Sequence, residues 1–304
     1  MNEIIITSLS EEMMDETVKF ISSFQSVEES FVAWLGYSPE EIRSQLSAED
    51  QPFKERCLIA VDRGVVCGFL GIYLVEEQAI ARLLGPYIAQ QNHWINIALD
   101  LLKALQPKIP AYVRKAKVAF YGANMKCKQL YAPNHFTLYN AEKTLIMRRE
   151  GYTSSQKVIN QEFNIRSYQP IDFDKFIQIH PTDAYLTGAQ VISRLNQYHR
   201  LVVAELDHCI IGYVYFEMLL SDGFAEICFL NVSPEFRSRS IGSLLISEAI
   251  NEAFRLDWMN HIEISVRVNN EGAERLYVRT GFTEKNVVIA LQRDLNVYPW
   301  GDFT

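Results

Sequence analysis

The sequence predicts an α/β (α+β) protein in which one folding unit occurs twice, and three observations carry that prediction. Asn124–Phe136 reads NMKCKQLYAPNHF and Asn270–Phe282 reads NEGAERLYVRTGF, so Asn, Leu-Tyr and Phe recur at the same spacing 146 residues apart. The same shift lays LLGPYIAQQNHWINIALDLL, from Leu83, on FLNVSPEFRSRSIGSLLISE, from Phe229, and matches Leu84 with Leu230 and Leu99 with Leu245. Upstream, a shift of 144 lays CLIAVDRGVVCGFLGIY on LVVAELDHCIIGYVYFE and pairs Gly68 with Gly212. Any two α/β segments can be slid into apolar register, but three blocks that agree within two residues indicate duplication.

The elements of the second half follow in order. EFNIRSYQ opens it, and helices fall between about Asp172 and Gln197. LVVAELDHCIIGYVYFEML is a hairpin turning at Leu206-Asp207-His208. FAEICFLNV is a strand, and the helix from Ile241 carries Leu245, Ala249 and Ala253 on one face. HIEISVRV alternates Ile262, Ile264, Val266 and Val268 with polar residues, as a half-buried strand does. Asn270 caps a short helix that Gly281 ends. GYTSSQKVINQ is the polar, aperiodic stretch between the halves, which gives domains over 1–150 and 162–304 with a linker at 151–161.

Composition bounds the setting. With 304 residues and 48% hydrophobic content, the chain can bury two cores. Its start, MNEIIITSLSEEMMDE, is acidic, and apolar runs such as VVCGFLGIYLV are shorter than the roughly 20 residues of a membrane span. A soluble, cytoplasmic protein without a membrane partner is expected. The five cysteines, Cys57, Cys67, Cys127, Cys209 and Cys228, form no C-x-x-C pair and read as reduced core residues. The six histidines lack ligand spacing, so no metal is expected. A net charge of -8 argues against a nucleic-acid partner and is compatible with a cationic acceptor such as an amine.

The connection PEFRSRSIGS, Pro234–Ser243, is chemically unusual for a strand-to-helix turn. Such a loop leaves backbone N–H groups pointing forward at the positive end of a helix dipole, which is an anion site. Gly242 permits close backbone approach, Ser238, Ser240 and Ser243 are small, and Arg237 and Arg239 add charge.

FLNVSPEFRSRSIGSLL followed by VRVNNEGAERLYVRTGF closely resembles the two hallmark segments of the GNAT acetyltransferase superfamily. Arg237 and Gly242 fit the first, [QR]-x-x-G-x-[GA], with Ser240 where glycine is usual. Asn270, Ala273, Leu276, Tyr277, Gly281 and Phe282 fit the second, N-x-x-A-x-x-L-Y-x-x-x-G-F. The match covers roughly Leu201 to Leu295, and the first half shares it only through the repeat.

The resemblance implies two tandem domains, each a mixed, mostly antiparallel sheet flanked by helices, with acetyl-CoA as co-substrate between two central strands that splay at a bulge. Here those strands would be FAEICFLNV and HIEISVRV, with the bulge and coenzyme contacts near Leu230, Asn231 and Val232. The pyrophosphate would meet Arg237, Ser238, Arg239, Ser240, Ile241, Gly242 and Ser243, and Asn270 would be both cap and coenzyme contact. FAEIC resembles a family strand that carries a glutamate base, which makes Glu226 the base for the incoming amine. Tyr277 matches the usual general acid, and a backbone N–H near Val232 is the oxyanion donor. The expected reaction moves an acetyl group to a primary amine of a small molecule or peptide. The alternative is a non-catalytic acyl-CoA-binding sensor or scaffold.

The first half diverges at those positions. At the 146-residue shift Gln91 replaces Arg237, Trp94 replaces Ser240, Asn96 replaces Gly242 and Ile80 stands for Glu226, while Tyr131 matches Tyr277. A coenzyme-free first repeat that shapes the acceptor side of the second is expected.

Overall fold

Ile262, Ile264 and Val266 do alternate with polar neighbours along a strand, and the three apolar side chains are buried. The protein is described here by a computed structural model covering residues 4–48, 51–152, 162–182, 184, 186–219, 223–301 and 303–304. In chain order its elements are β1 (Ile5–Ser8), α1 (Met14–Gln25), α2 (Pro39–Leu46), α3 (Phe53–Arg56), β2 (Cys57–Asp62), β3 (Val65–Val75), β4 (Ile80–Ile88), α4 (Trp94–Leu105), β5 (Lys115–Tyr121), α5 (Met125–Tyr131) and β6 (Thr137–Arg148). They continue as β7 (Asn164–Ser167), α6 (Phe173–Ile179), α7 (Gly188–Arg194), β8 (His199–Leu206), β9 (Cys209–Leu219), β10 (Phe224–Val232), α8 (Ile241–Phe254), β11 (His261–Arg267), α9 (Glu271–Arg279) and β12 (Thr283–Asp294).

These elements form two units, one of residues 1–141 with 287–304 and the other of residues 142–286. In unit 1 the strand order is β1-β2-β3-β4-β5 followed by the second part of β12, every pair antiparallel except β4 with β5. Unit 2 repeats the plan as β7-β8-β9-β10-β11 followed by the second part of β6, again with one parallel pair, β10 with β11. The split at 150 expected from the sequence therefore differs from the division by contacts, and residues 153–161 of the expected linker lie outside the described residues. Each repeat gives up its last strand. Leu145 and Met147 of β6 are buried in the core of unit 2, and Leu291 of β12 in the core of unit 1.

The tail after β12 anchors that exchange. Trp300 and Phe303 are buried in unit 1, and the Trp300 indole donates to the Leu102 carbonyl at 2.8 Å. Arg293 is 1% exposed and donates to the carbonyls of Asn134, Tyr298 and Pro299. Three carbonyl oxygens thus accept from its guanidinium.

In unit 2, α8 buries Leu245, Ile246, Ala249, Ile250 and Ala253 against one side of the sheet, with Ala225, Ile227, Ile262 and Ile264. On the other side α6 and α7 cover Tyr213, Tyr215, Leu201 and Val203 through Phe176, Leu186 and Val191. The β8–β9 turn sits at Asp207-His208, both in left-handed backbone (φ 48° and 62°), the geometry a two-residue hairpin requires. Cys57, Cys67 and Cys127 are buried as expected, whereas Cys209 is exposed at the start of β9 and Cys228 is half-buried. No helix among the described residues is long and apolar enough to cross a membrane, and no group of three or more His, Cys, Asp or Glu among them could hold a metal ion.

Candidate active site

The β10–β11 ladder is parallel and short, running from Phe224 with His261 to Ile227 with Ile264. Beyond that step β10 stays paired only with β9, so its other edge is open from Phe229 to Val232. The bulge that separates the strands lies at Cys228, between Ile227 and Phe229, and not near 230–232 as the sequence led us to expect. One extra residue there turns the chain before the opening rather than inside it.

The backbone alternation decides which groups face the opening. Ser233 donates to Ile211 at 2.9 Å, so Ser233 and Ile211 form a hydrogen-bonded pair of the antiparallel ladder. Val232 with Gly212 and Leu230 with Val214 are then the non-bonded pairs, and their N–H and C=O groups point away from β9 into the opening. Gly212 is required for this approach, since a Cβ there would lie 2.9 Å from the Asn231 carbonyl oxygen. The Val232 carbonyl takes a 3.0 Å hydrogen bond from Arg237 Nε, which ties the loop back to the strand edge. The Asn231 side chain is engaged elsewhere, with its amide donating to the Ile179 carbonyl at 2.5 Å.

The loop itself is built from small residues in unusual backbone. Ser238 and Ser240 are left-handed (φ 64° and 63°), a conformation that serine tolerates at a cost and that aims successive N–H groups to one side. Among the described residues no acceptor takes the N–H groups of Ser238 to Ser243. Ile241 is buried beneath the loop, and the Arg239 guanidinium lies 5.6 Å from the Phe236 ring centre. A Cβ on Gly242 would meet Leu276 Cδ2 at 3.1 Å, so glycine also lets α8 pack closely on α9. Asn270 caps α9, its side-chain oxygen accepting from Ala273 N at 3.2 Å.

Glu226 and Tyr277 are the two groups in this region with chemistry still to offer. Glu226 lies on the last paired stretch of β10, opposite Glu217 of β9 and Glu263 of β11. Its carboxylate makes no hydrogen bond or ion pair with any described residue. Burial, and then the charges of Glu217 and Glu263, raise its pKa above the usual carboxylate value. Tyr277 is 7% exposed and packs on Phe282, its carbonyl accepts from Thr280 and Phe282, and its hydroxyl has no hydrogen-bond partner among the described residues. Burial pushes its hydroxyl up to about 12, so it stays protonated near neutral pH.

Unit 1 has the same plan, and its β4–β5 ladder likewise ends early, at Arg82 with Lys117. Tyr131 is fully buried, and its hydroxyl donates to the Gly85 carbonyl on β4 at 2.9 Å. The ladders also correct the match of positions. β4 follows β10 at an offset of 144 (88 to 232), so Arg82, paired with Tyr73 and Lys117, holds the place of Glu226, and Ile80 does not. The buried faces of α4 and α8 match at an offset of 148 (97 to 245), which brings Trp94 to the level of Gly242 rather than of Ser240. The intervening connection is shorter in unit 1, residues 89–93 between β4 and α4 against 233–240 between β10 and α8. Trp94 is 8% exposed, with Lys126 Nζ 5.7 Å from its ring centre, and Lys126 also bonds Gln91. The cationic loop of unit 2 has no counterpart there.

Comparison with known proteins yields three findings. Residues 163–282 match a family model described as acetyltransferase (GNAT) family. An uncharacterised N-acetyltransferase of Methanocaldococcus jannaschii is 34% identical over 86 residues, which is 28% of this chain and 54% of that protein. The chain thus spans about half the length of that relative. Among solved structures, a GCN5-related N-acetyltransferase of Sphaerobacter thermophilus superposes with a TM-score of 0.69 at 13% identity, over 96% of both chains. A tandem GNAT protein from the clavulanic acid biosynthesis pathway gives a TM-score of 0.63 at 10% identity, over 96% of this chain and 98% of that one. These two likenesses are likenesses of fold.

Proposed function

From the match of residues 163–282 to the GNAT acetyltransferase family model, we propose that unit 2 transfers an acetyl group from acetyl-CoA to a primary amine. The observation that carries this reading is that the Glu226 carboxylate and the Tyr277 hydroxyl, the two groups the chemistry needs, have no partner among the described residues. A binder has no use for such a pair.

The residues fit the co-substrate. The unsatisfied N–H groups of Ser238 to Ser243, at the start of α8 with Arg237 and Arg239 beside them, suit a diphosphate. The N–H and C=O groups of Leu230 and the C=O of Val232, which face the opening, suit the amides of an extended chain laid along β10.

In the reaction Glu226 takes a proton from the acceptor ammonium, directly or through water, and frees the nitrogen lone pair. That nitrogen forms a bond to the thioester carbonyl carbon, and the Val232 N–H receives the developing oxyanion. As the carbon–sulfur bond breaks, Tyr277 gives its proton to the leaving thiolate, and the second proton shed by the nitrogen as it becomes an amide returns through water to the Tyr277 phenolate. A raised pKa serves Glu226 as a base, and a protonated phenol serves Tyr277 as an acid.

A panel of primary amines assayed with the full chain for free thiol released from acetyl-CoA tests the proposal. Turnover that Glu226→Gln and Tyr277→Phe both reduce supports it. Tight acetyl-CoA binding with no turnover across the panel would replace it with a coenzyme-binding sensor or scaffold.

A further inference from the structure

Three glutamates stand side by side across three strands. The ladders place Glu217 of β9 and Glu263 of β11 directly opposite Glu226, so all three side chains rise from the same side of the sheet. Like charges facing each other across a ladder are destabilising, and a row of three is not a neutral way to cover a sheet. The two outer members are each provided for. Glu217 accepts from the Tyr215 hydroxyl at 2.6 Å and from Arg194 at 3.3 Å. Glu263 accepts from Lys285 at 2.5 Å and lies 2.9 Å from His261 Nε2. Their side chains are only 17% and 15% exposed, so these partners, more than water, balance them. The middle member has no such partner among the described residues.

We propose that Glu217 and Glu263 are positioning residues for Glu226, bracketing its carboxylate from both neighbouring strands so that it is the member of the row that receives a proton from an incoming ammonium. This rests on the reading of Glu226 as the base. The groups that face it are Glu217 and Tyr215 from β9, Glu263 and His261 from β11, and Phe224 and Cys228 from its own strand. Arg194 of α7 and Lys285 of β12 act on it through the outer pair, and His199 of β8 lies beyond Glu217. With both flanks negative, the ionised form of Glu226 is disfavoured and a cation drawn toward the row is favoured. The two outer ion pairs keep the effect local, since each cation belongs to one flank.

The row can be titrated without knowing the acceptor. In the full chain labelled with 13C at glutamate side-chain carboxyls, Glu226→Gln identifies the Glu226 resonance by its loss. Glu217→Gln and Glu263→Gln, which keep shape and the Tyr215 acceptor, should each lower the Glu226 titration midpoint. Arg194→Met and Lys285→Met, which leave the flanks uncompensated, should each raise it. A midpoint unmoved in both glutamine variants overturns the proposal. With an amine found active in the panel, the acid limb of kcat/KM should follow the midpoint. A limb that stays while the midpoint moves would remove Glu226 as the base without removing the bracketing.

Discussion

The hydroxyl of Tyr131 donates to the carbonyl of Gly85, while Tyr277, which holds the same place in unit 2, donates to no described residue. One tyrosine fastens a short helix to a central strand. The other is left with its proton. Replacing each with phenylalanine should therefore have opposite consequences. Tyr131→Phe strands a buried carbonyl and should lower stability by about 1–3 kcal/mol, read as a drop in Tm, with kcat unchanged. Tyr277→Phe should leave Tm nearly constant and reduce kcat by about 10- to 1000-fold. The reverse pattern would assign the acid to another group.

Calorimetric titration of the full chain with acetyl-CoA should saturate at one molecule per chain. Trp94 occupies the level of Gly242 in unit 1, the connection before it is shorter, and the Tyr131 hydroxyl is bonded to the Gly85 carbonyl of β4. Gly242→Val should abolish the one binding event, because Leu276, the nearest obstacle at 3.1 Å, can yield while a bound diphosphate cannot. A second, weaker event surviving in Gly242→Val would show that unit 1 also binds coenzyme.

Glu226 should also be visible in stability against pH. Its folded pKa is raised from 4.5 by burial first and by Glu217 and Glu263 next. The folded state then holds its proton more tightly than the unfolded state, so stability falls as pH rises from the unfolded value through the folded one. Below about pH 4 both states are protonated and the penalty is absent. Glu226→Gln should accordingly raise Tm at pH 7 and 8 and lose that advantage toward pH 4. Equal differences at both ends of the range would show that the carboxylate is not strained.

The tail of the chain should matter to unit 1. Trp300→Ala removes a buried indole and its bond to Leu102, and should cost about 3–5 kcal/mol, measured by chemical denaturation. Coenzyme affinity, a property of unit 2 on this reading, should change far less at temperatures where the chain stays folded. Loss of binding in parallel with stability would tie the two units into one cooperative transition.

Much of this was legible in the residues. Period-two runs announced β11, the i+4 apolar face announced α8, and Asn270 with Gly281 bounded α9, because each signal is local and carried by a few side chains. What the sequence hid is non-local. Nothing in TLYNAEKTLIMR says which sheet it will join, since either unit offers an equivalent edge and similar apolar pockets. The offset of repeats was also misjudged in β4, because sliding apolar residues by two leaves a strand's inward and outward faces unchanged. Arg82 could be found only by its ladder partners. The flanking glutamates Glu217 and Glu263 were missed for the same reason, as their nearness to Glu226 exists only across strands.

The interleaving of the units has a consequence during synthesis. When β5 leaves the ribosome, its eventual neighbour, Val287–Asp294, is still untranslated, and all of unit 2 must be made first. At about 5–20 residues per second, the 142–286 segment takes roughly 7–30 seconds. For that interval unit 1 lacks Trp300, Phe303 and the strand that covers β5, whose edge carries Val118 and Phe120. An open edge of that kind can recruit any extended chain nearby. Unit 2 waits for nothing of the sort, since its borrowed strand, Glu142–Arg148, is already outside when β11 emerges. The newborn chain therefore completes its second half before its first.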